Sequence, residues 1–163
     1  MDLILWRHAE AQAHPDPLTG RQGDAQDLAR TLTARGEKHA ARMAAWLDRQ
    51  LPNGTRILCS PALRTEQTAL ALGRPFKLRE ELAPGADPQT LLSLVQWPNA
   101  KAPVLVVGHQ PMLGQVIARL LGLAEEACPV KKGAVWWLHQ RERGAIAQTV
   151  LLTVQTPELL SRD

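Results

Sequence analysis

Cysteine is scarce in this chain. Only Cys59 and Cys128 occur among 163 residues, in no metal-ligand spacing. Two isolated thiols make no disulfide framework, and both are expected to stay free in a reducing cytoplasm. Long hydrophobic runs are missing too. A membrane span needs about 18 consecutive apolar residues, and no stretch approaches this, so no membrane partner is expected. Asp2 opens a short apolar run that Arg7 stops at once, without a cationic leader or cleavage site, so no secretory signal is expected. A concentrated cationic stripe is also absent. The net charge is +3, and the one basic pair, Lys131-Lys132, has no interleaved aromatics. This argues against nucleic acid as a partner. Anionic small groups or an acidic protein suit a mild positive excess better.

What is present is ordinary for a folded domain: 45% hydrophobic and 21% charged residues, which excludes a disordered chain. No repeat, low-complexity tract or linker interrupts it, so residues 1–163 are expected to form one domain. Residues 2–6 read as a buried strand, and residues 10–31 as a long polar loop over its end. Thr33 caps a helix carrying Ala40, Ala44, Leu47 and Leu51, which Pro52-Asn53-Gly54 stops; Arg35 and Gly36 read as solvated residues of the turn entering it. Arg56 to Cys59 is a second strand, after which Ser60-Pro61 is expected to open a helix to about Leu72 by cap and N1 proline. Leu78 to Leu82 reads as a short extended piece, and Asp87-Pro88 as the start of a helix to about Trp97. Val104 to Val107 is the clearest buried strand. From Pro111, Leu113, Val116, Ile117, Leu120 and Leu121 form an amphipathic stripe that Gly122 closes. Ala134 to His139 and Ala147 to Val154 read as a late hairpin. The sum is an α/β domain: a three-layer sandwich whose central sheet is mostly parallel, with helices on both faces.

Three strand ends carry similar chemistry. The first ends in Arg7-His8. The second runs into Cys59-Ser60-Pro61-Ala62-Leu63-Arg64-Thr65. The central strand runs into Gly108-His109-Gln110-Pro111. Parallel strands bring all three to one carboxyl edge, where ligands bind in open α/β folds. Two arginines and two histidines favour a tetrahedral oxyanion: guanidinium forks onto two oxygens, and imidazole attacks or moves a proton. Gly108 would let backbone approach closely beside the second histidine. Glu10 is the one carboxylate near these segments, as expected if the ligand supplies the negative charge.

The segments Leu5-Trp6-Arg7-His8-Ala9, Ser60 to Ala69, Glu81-Leu82-Ala83-Pro84 and Val107 to Pro111 resemble the histidine phosphatase superfamily. The short length and the last two segments most resemble its small SixA-type phosphohistidine phosphatase branch. The likeness runs over residues 1 to about 122 and implies a phosphoglycerate mutase-like fold. It implies that His8 is the nucleophile and forms a transient phosphohistidine, while Arg7, Arg64 and His109 bind the phosphoryl oxygens. It implies no metal or other cofactor. Larger relatives use an acidic residue after the second helix as general acid. Glu81 is the nearest match, with Glu10, Asp16 and Asp24 as rivals. Two positions depart from the family pattern: Ala9 stands at its usual glycine, and His14 at the asparagine of the mutase branch, which argues against mutase activity.

A cysteine-nucleophile phosphatase needs five residues between cysteine and arginine, and only four, none a glycine, separate Cys59 from Arg64. Ser60 lacks the elbow of a serine hydrolase. The reading is therefore a cytoplasmic phosphatase working through a His8 phosphoenzyme. Lacking the long insertions that roof small-molecule pockets in larger relatives, it would act on protein phosphohistidine. The alternatives are a small phosphorylated substrate, or a catalytically silent module that binds phosphoproteins.

Overall fold

The computed structural model describes residues 1–160 of the chain. Its order is β1 (Asp2–Arg7), α1 (Ala25–Leu28), α2 (Ala34–Gln50), β2 (Arg56–Cys59), α3 (Leu63–Leu70), β3 (Lys77–Leu78), a 3-10 turn (Glu80–Leu82), α4 (Pro88–Leu94), β4 (Val104–Gly108), α5 (Met112–Leu121), β5 (Val135–Arg143) and β6 (Ile146–Gln155). The sheet runs β3-β2-β4-β1-β5-β6. β1 to β4 are mutually parallel, and β5 and β6 pair antiparallel beside β1.

Period-2 alternation along the central strands sorts their side chains between two layers. Leu3, Leu5, Val104 and Val106 pack on Leu91, Leu92, Leu113, Val116 and Ile117 of α4 and α5. Ile4, Trp6, Leu105 and Val107 face the other way, onto Met43, Ala44, Leu47 and Ala69 of α2 and α3. With both faces covered, Leu3 to Trp6 of β1 and Val104 to Val107 of β4 are apolar without a break. This is the three-layer sandwich anticipated above.

Local expectations fared unevenly. Thr33 caps α2 as expected, its hydroxyl accepting from Gly36 N–H, and Gly122 ends α5 in the left-handed conformation. Arg35 and Gly36, however, lie inside the first turn of α2. A Cβ on Gly36 would stand 2.0 Å from the Glu10 carbonyl oxygen, so glycine is required there for helix and loop to touch. α3 starts at Leu63 with Ala62 at its N-cap, so Ser60-Pro61 does not open it; the Ser60 hydroxyl accepts from Ala62 N–H instead. α4 ends at Leu94, three residues early, because Gln96 turns left-handed at φ 59°. The expected extended piece is two residues of β3 followed by the 3-10 turn. The 10–31 loop holds the short α1 and an antiparallel bridge between Ala11 and Leu32. Gly108 has ordinary room, 3.4 Å from a built Cβ to Leu113 Cδ2. The close approach lies at Gly114, where a Cβ would stand 2.0 Å from the Cys128 carbonyl oxygen. No helix among the described residues is long and apolar enough to cross a membrane.

Candidate active site

Register builds the site. Arg7 lies opposite Gly108 in the β1–β4 ladder, so the next residues, His8 and His109, emerge side by side. Their ring centroids are 5.4 Å apart. The His8 backbone is held from both flanks, its N–H donating to the Gly108 carbonyl (3.1 Å) and its carbonyl accepting from Gly133 N–H (2.9 Å). On the other side of β4, Ser60 N–H donates to the Val107 carbonyl, and Ser60 Oγ lies 2.7 Å from His109 Nε2.

The His8 ring is oriented by its own loop. Nδ1 lies 2.7 Å from the Ala9 carbonyl oxygen, which can only accept, so Nδ1 carries the proton and Nε2 keeps its lone pair. Ala9 is itself fixed, fully buried, with its N–H on Thr68 Oγ1 (3.1 Å). Thr68 in turn donates to the Arg64 carbonyl (2.8 Å), tying the first strand end to α3. Ala9 has no positive φ, so its methyl group sits there without backbone strain.

Arg64 is buried and Arg7 partly so. Arg64 is 2% exposed; its Nη1 donates to the Asp27 carbonyl (2.8 Å) and its Nη2 to Asp27 Oδ2 (3.2 Å). Arg7 anchors Nη1 on the Val130 carbonyl (2.7 Å). Arg7 Nε, Arg64 Nε and His109 Nδ1 are buried with no protein partner, which is costly unless a ligand atom meets them. Burial, with the charges of Arg64 and Arg7, lowers the His8 pKa to about 3. Burial, Arg64 and the neighbouring His8 lower His109 to about 2. Both imidazoles are therefore neutral at pH 7. Of the four residues singled out in the sequence, His8 and His109 stand ring beside ring, and the charges of Arg7 and Arg64 act on both imidazoles.

Asp27 was missed. The sequence suggested that no carboxylate beyond Glu10 balances the arginines, yet Asp27, 2% exposed in α1, does so for Arg64. Arg30 Nη1 joins it on Oδ1 at 3.0 Å, and the charge of Arg30 also bears on His8. Burial pushes the Asp27 carboxyl up, but Gly23 N–H, Arg30 and Arg64 together hold it below the usual range. The only sequence signal was its place in a long loop over a strand end. Glu10 accepts instead from Thr33 Oγ1 (2.9 Å).

The remaining acid candidates point elsewhere. Glu81 sits in the 3-10 turn, 2.5 Å from Arg79 Nη2, and that hydrogen bond lowers its pKa, the reverse of what a proton donor needs. Asp24 caps α1, and N–H groups of Arg21 and Asp27 lower it to about 2. Thr19 holds Asp16 low. His14 accepts from Asp16 N–H at Nδ1 and donates to Asp24 from Nε2, a loop-bracing role. Burial raises the Cys59 thiol to about 12, which disqualifies it as a thiolate nucleophile. Among the described residues, no three His, Cys, Asp or Glu side chains converge as a metal site.

Known proteins resemble this chain in sequence and fold. The histidine phosphatase superfamily (branch 1) matches residues 3–85. Phosphohistidine phosphatase SixA of Escherichia coli is 31% identical over 128 residues, covering 74% of each chain. A SixA homolog from Haemophilus influenzae is 28% identical over 138 residues, 75% of this chain and 78% of that one. The solved structure of the protein histidine phosphatase SixA complexed with tungstate superposes with a TM-score of 0.71 at 27% identity, covering 96% of this chain and 97% of that one. Sequence and fold agree across most of the chain, and the protein belongs to the histidine phosphatase superfamily, branch 1.

Proposed function

We propose that this protein is a phosphohistidine phosphatase acting on phosphorylated proteins through a His8 phosphoenzyme. One observation carries the reading: His8, with Nδ1–H on the Ala9 carbonyl, presents an unprotonated Nε2 beside His109, within the field of buried Arg64 and partly buried Arg7. In the first step Nε2 forms a bond to phosphorus in line with the departing group. The bond from phosphorus to the leaving imidazole nitrogen breaks, and its electron pair returns to that nitrogen. A leaving imidazole protonated at its other nitrogen departs neutral, so no protein acid is required; this accords with an ion-paired Glu81. Phosphorylated His8 is then an imidazolium whose Nδ1–H stays on the Ala9 carbonyl.

Arg7 and Arg64 offset charge on the equatorial oxygens, and their unpartnered Nε groups are donors for them. Ser60, accepting from Ala62 N–H, can donate its own hydrogen to His109 Nε2. His109 then carries its proton on Nδ1, the buried atom without a partner, as a further donor to the phosphoryl group. In the second step water forms a bond to phosphorus, the Nε2–phosphorus bond breaks and its pair returns to Nε2. Phosphate leaves with the protons of water shared between it and solvent.

The test is chemical trapping. Incubation with a labelled phosphodonor should place acid-labile label on His8. His8→Ala should keep its fold and lose roughly a thousandfold or more in turnover of phosphohistidine. Acid-stable label, or turnover surviving in His8→Ala, would refute the mechanism.

A further inference from the structure

The first two turns of α2 carry Arg35, Lys38, His39 and Arg42 at offsets of 0, 3, 4 and 7, one face of the helix. With Glu158 they line a recess of about 330 Å³. Helix stability does not account for this cluster. Cations near a helix N-terminus oppose its dipole, and like charges three or four residues apart repel. Among the described residues, Glu158 is the one acid lining the recess. Burial chiefly, with Arg35 and Arg42, lowers the pKa of His39 against the opposing pull of Glu158 and Glu10. The recess therefore keeps an excess of positive charge.

Its position ties it to the nucleophile by two short routes. Arg42 Nη1 donates to the Pro157 carbonyl (2.7 Å), Pro157 packs on Gly133 (3.0 Å from a built Cβ), and Gly133 N–H donates to the His8 carbonyl. From the other side, Gly36 touches the Glu10 carbonyl, two residues beyond His8. Lys131 and Lys132, both exposed, extend the same charge along the segment leading to Gly133.

Building on the phosphoprotein reading above, we infer that the α2 recess is a docking subsite for an acidic segment flanking the phosphohistidine of the substrate protein. Arg35 and Lys38 supply the exposed cations, and charge complementarity sets which phosphoproteins are dephosphorylated. The subsite acts on encounter and retention of the partner; it takes no part in the chemistry at His8.

Three substrates test it: free phosphohistidine, a peptide with one phosphohistidine followed by glutamates, and its counterpart with glutamines. The glutamate peptide should show a kcat/KM about tenfold above the glutamine peptide at low salt, as several partly exposed ion pairs provide together. In Arg35→Glu/Lys38→Glu the ratio should fall to one or below, and in Arg35→Gln/Lys38→Gln to between the two, with free phosphohistidine turned over at the wild-type rate. Equal use of the two peptides by the wild type, or a preference that survives charge reversal, would overturn the inference. If free phosphohistidine is not turned over at all, the catalytic reading fails. The recess is then judged by fluorescence anisotropy with a dye-labelled, unphosphorylated glutamate peptide. Binding by the wild type and not by the reversed variant upholds it, and no binding overturns it. Tighter binding of a single-stranded DNA of equal charge would also overturn it, in favour of a nucleic-acid partner.

Discussion

Replacing Asp27 by asparagine tests how buried Arg64 is held. Asp27 and Arg64 are each 2% exposed, so this ion pair is shielded from water and salt. The carboxylate serves three donors: Arg64 Nη2 (3.2 Å) and Gly23 N–H (2.9 Å) on Oδ2, and Arg30 Nη1 (3.0 Å) on Oδ1. Asparagine keeps one acceptor and turns an amide donor toward a guanidinium. Breaking a buried pair by removing one charge costs about 3–5 kcal/mol. The Asp27 carbonyl still accepts from Arg64 Nη1 in the variant, so the lower end, about 3 kcal/mol, is expected. For a domain of this size that is a fall of roughly 6–12 °C in Tm at pH 7. Arg64 would lose its aim, and kcat/KM on an aryl phosphate should drop about 10–100-fold. The outer pair behaves differently. The Arg30 side chain is 22% exposed, so Arg30→Gln should cost no more than about 1 kcal/mol. Thermal unfolding and steady-state rates of both variants decide the matter. A fall in Tm below about 3 °C for Asp27→Asn, or a fall for Arg30→Gln that exceeds that of Asp27→Asn, would refute the idea that Asp27 anchors the site.

Acid should weaken the fold through the site histidines. His8 and His109 are depressed to about 3 and about 2, so between these values and 6.5 the unfolded chain binds more protons than the folded one. Stability is thus fully present above about pH 6.5 and falls as pH drops toward 3. The loss between pH 6.5 and 5.5 is about 1 kcal/mol per histidine, and urea titrations should find a shallower slope in His109→Gln. Gly36→Ala should destabilise by about 1–3 kcal/mol, because the added methyl must displace the Glu10 backbone. Its kcat should fall with its Tm, and an unchanged Tm in thermal scans would show that the loop yields freely.

The central sheet and the edge that gathers its strand ends were legible because β1 and β4 are short apolar runs, a pattern a doubly covered parallel sheet imposes on any sequence. Arg7, His8 and His109 stood out because each sits at or just past such an end, and Arg64 because it opens the helix that follows β2. The start of α3 departs from the Ser-Pro rule because the Ser60 hydroxyl accepts from Ala62 N–H ahead of the helix, which leaves Ala62 at the N-cap. Asp27 was invisible for a deeper reason. A carboxylate in a polar loop looks solvated until folding lays that loop over a buried arginine 37 residues further along the chain. Local sequence determined which segments are strands and which chemistry each strand end offers. Only the tertiary structure decided the partners, because charge pairing and the pKa values it sets depend on distances between segments that chain order does not encode.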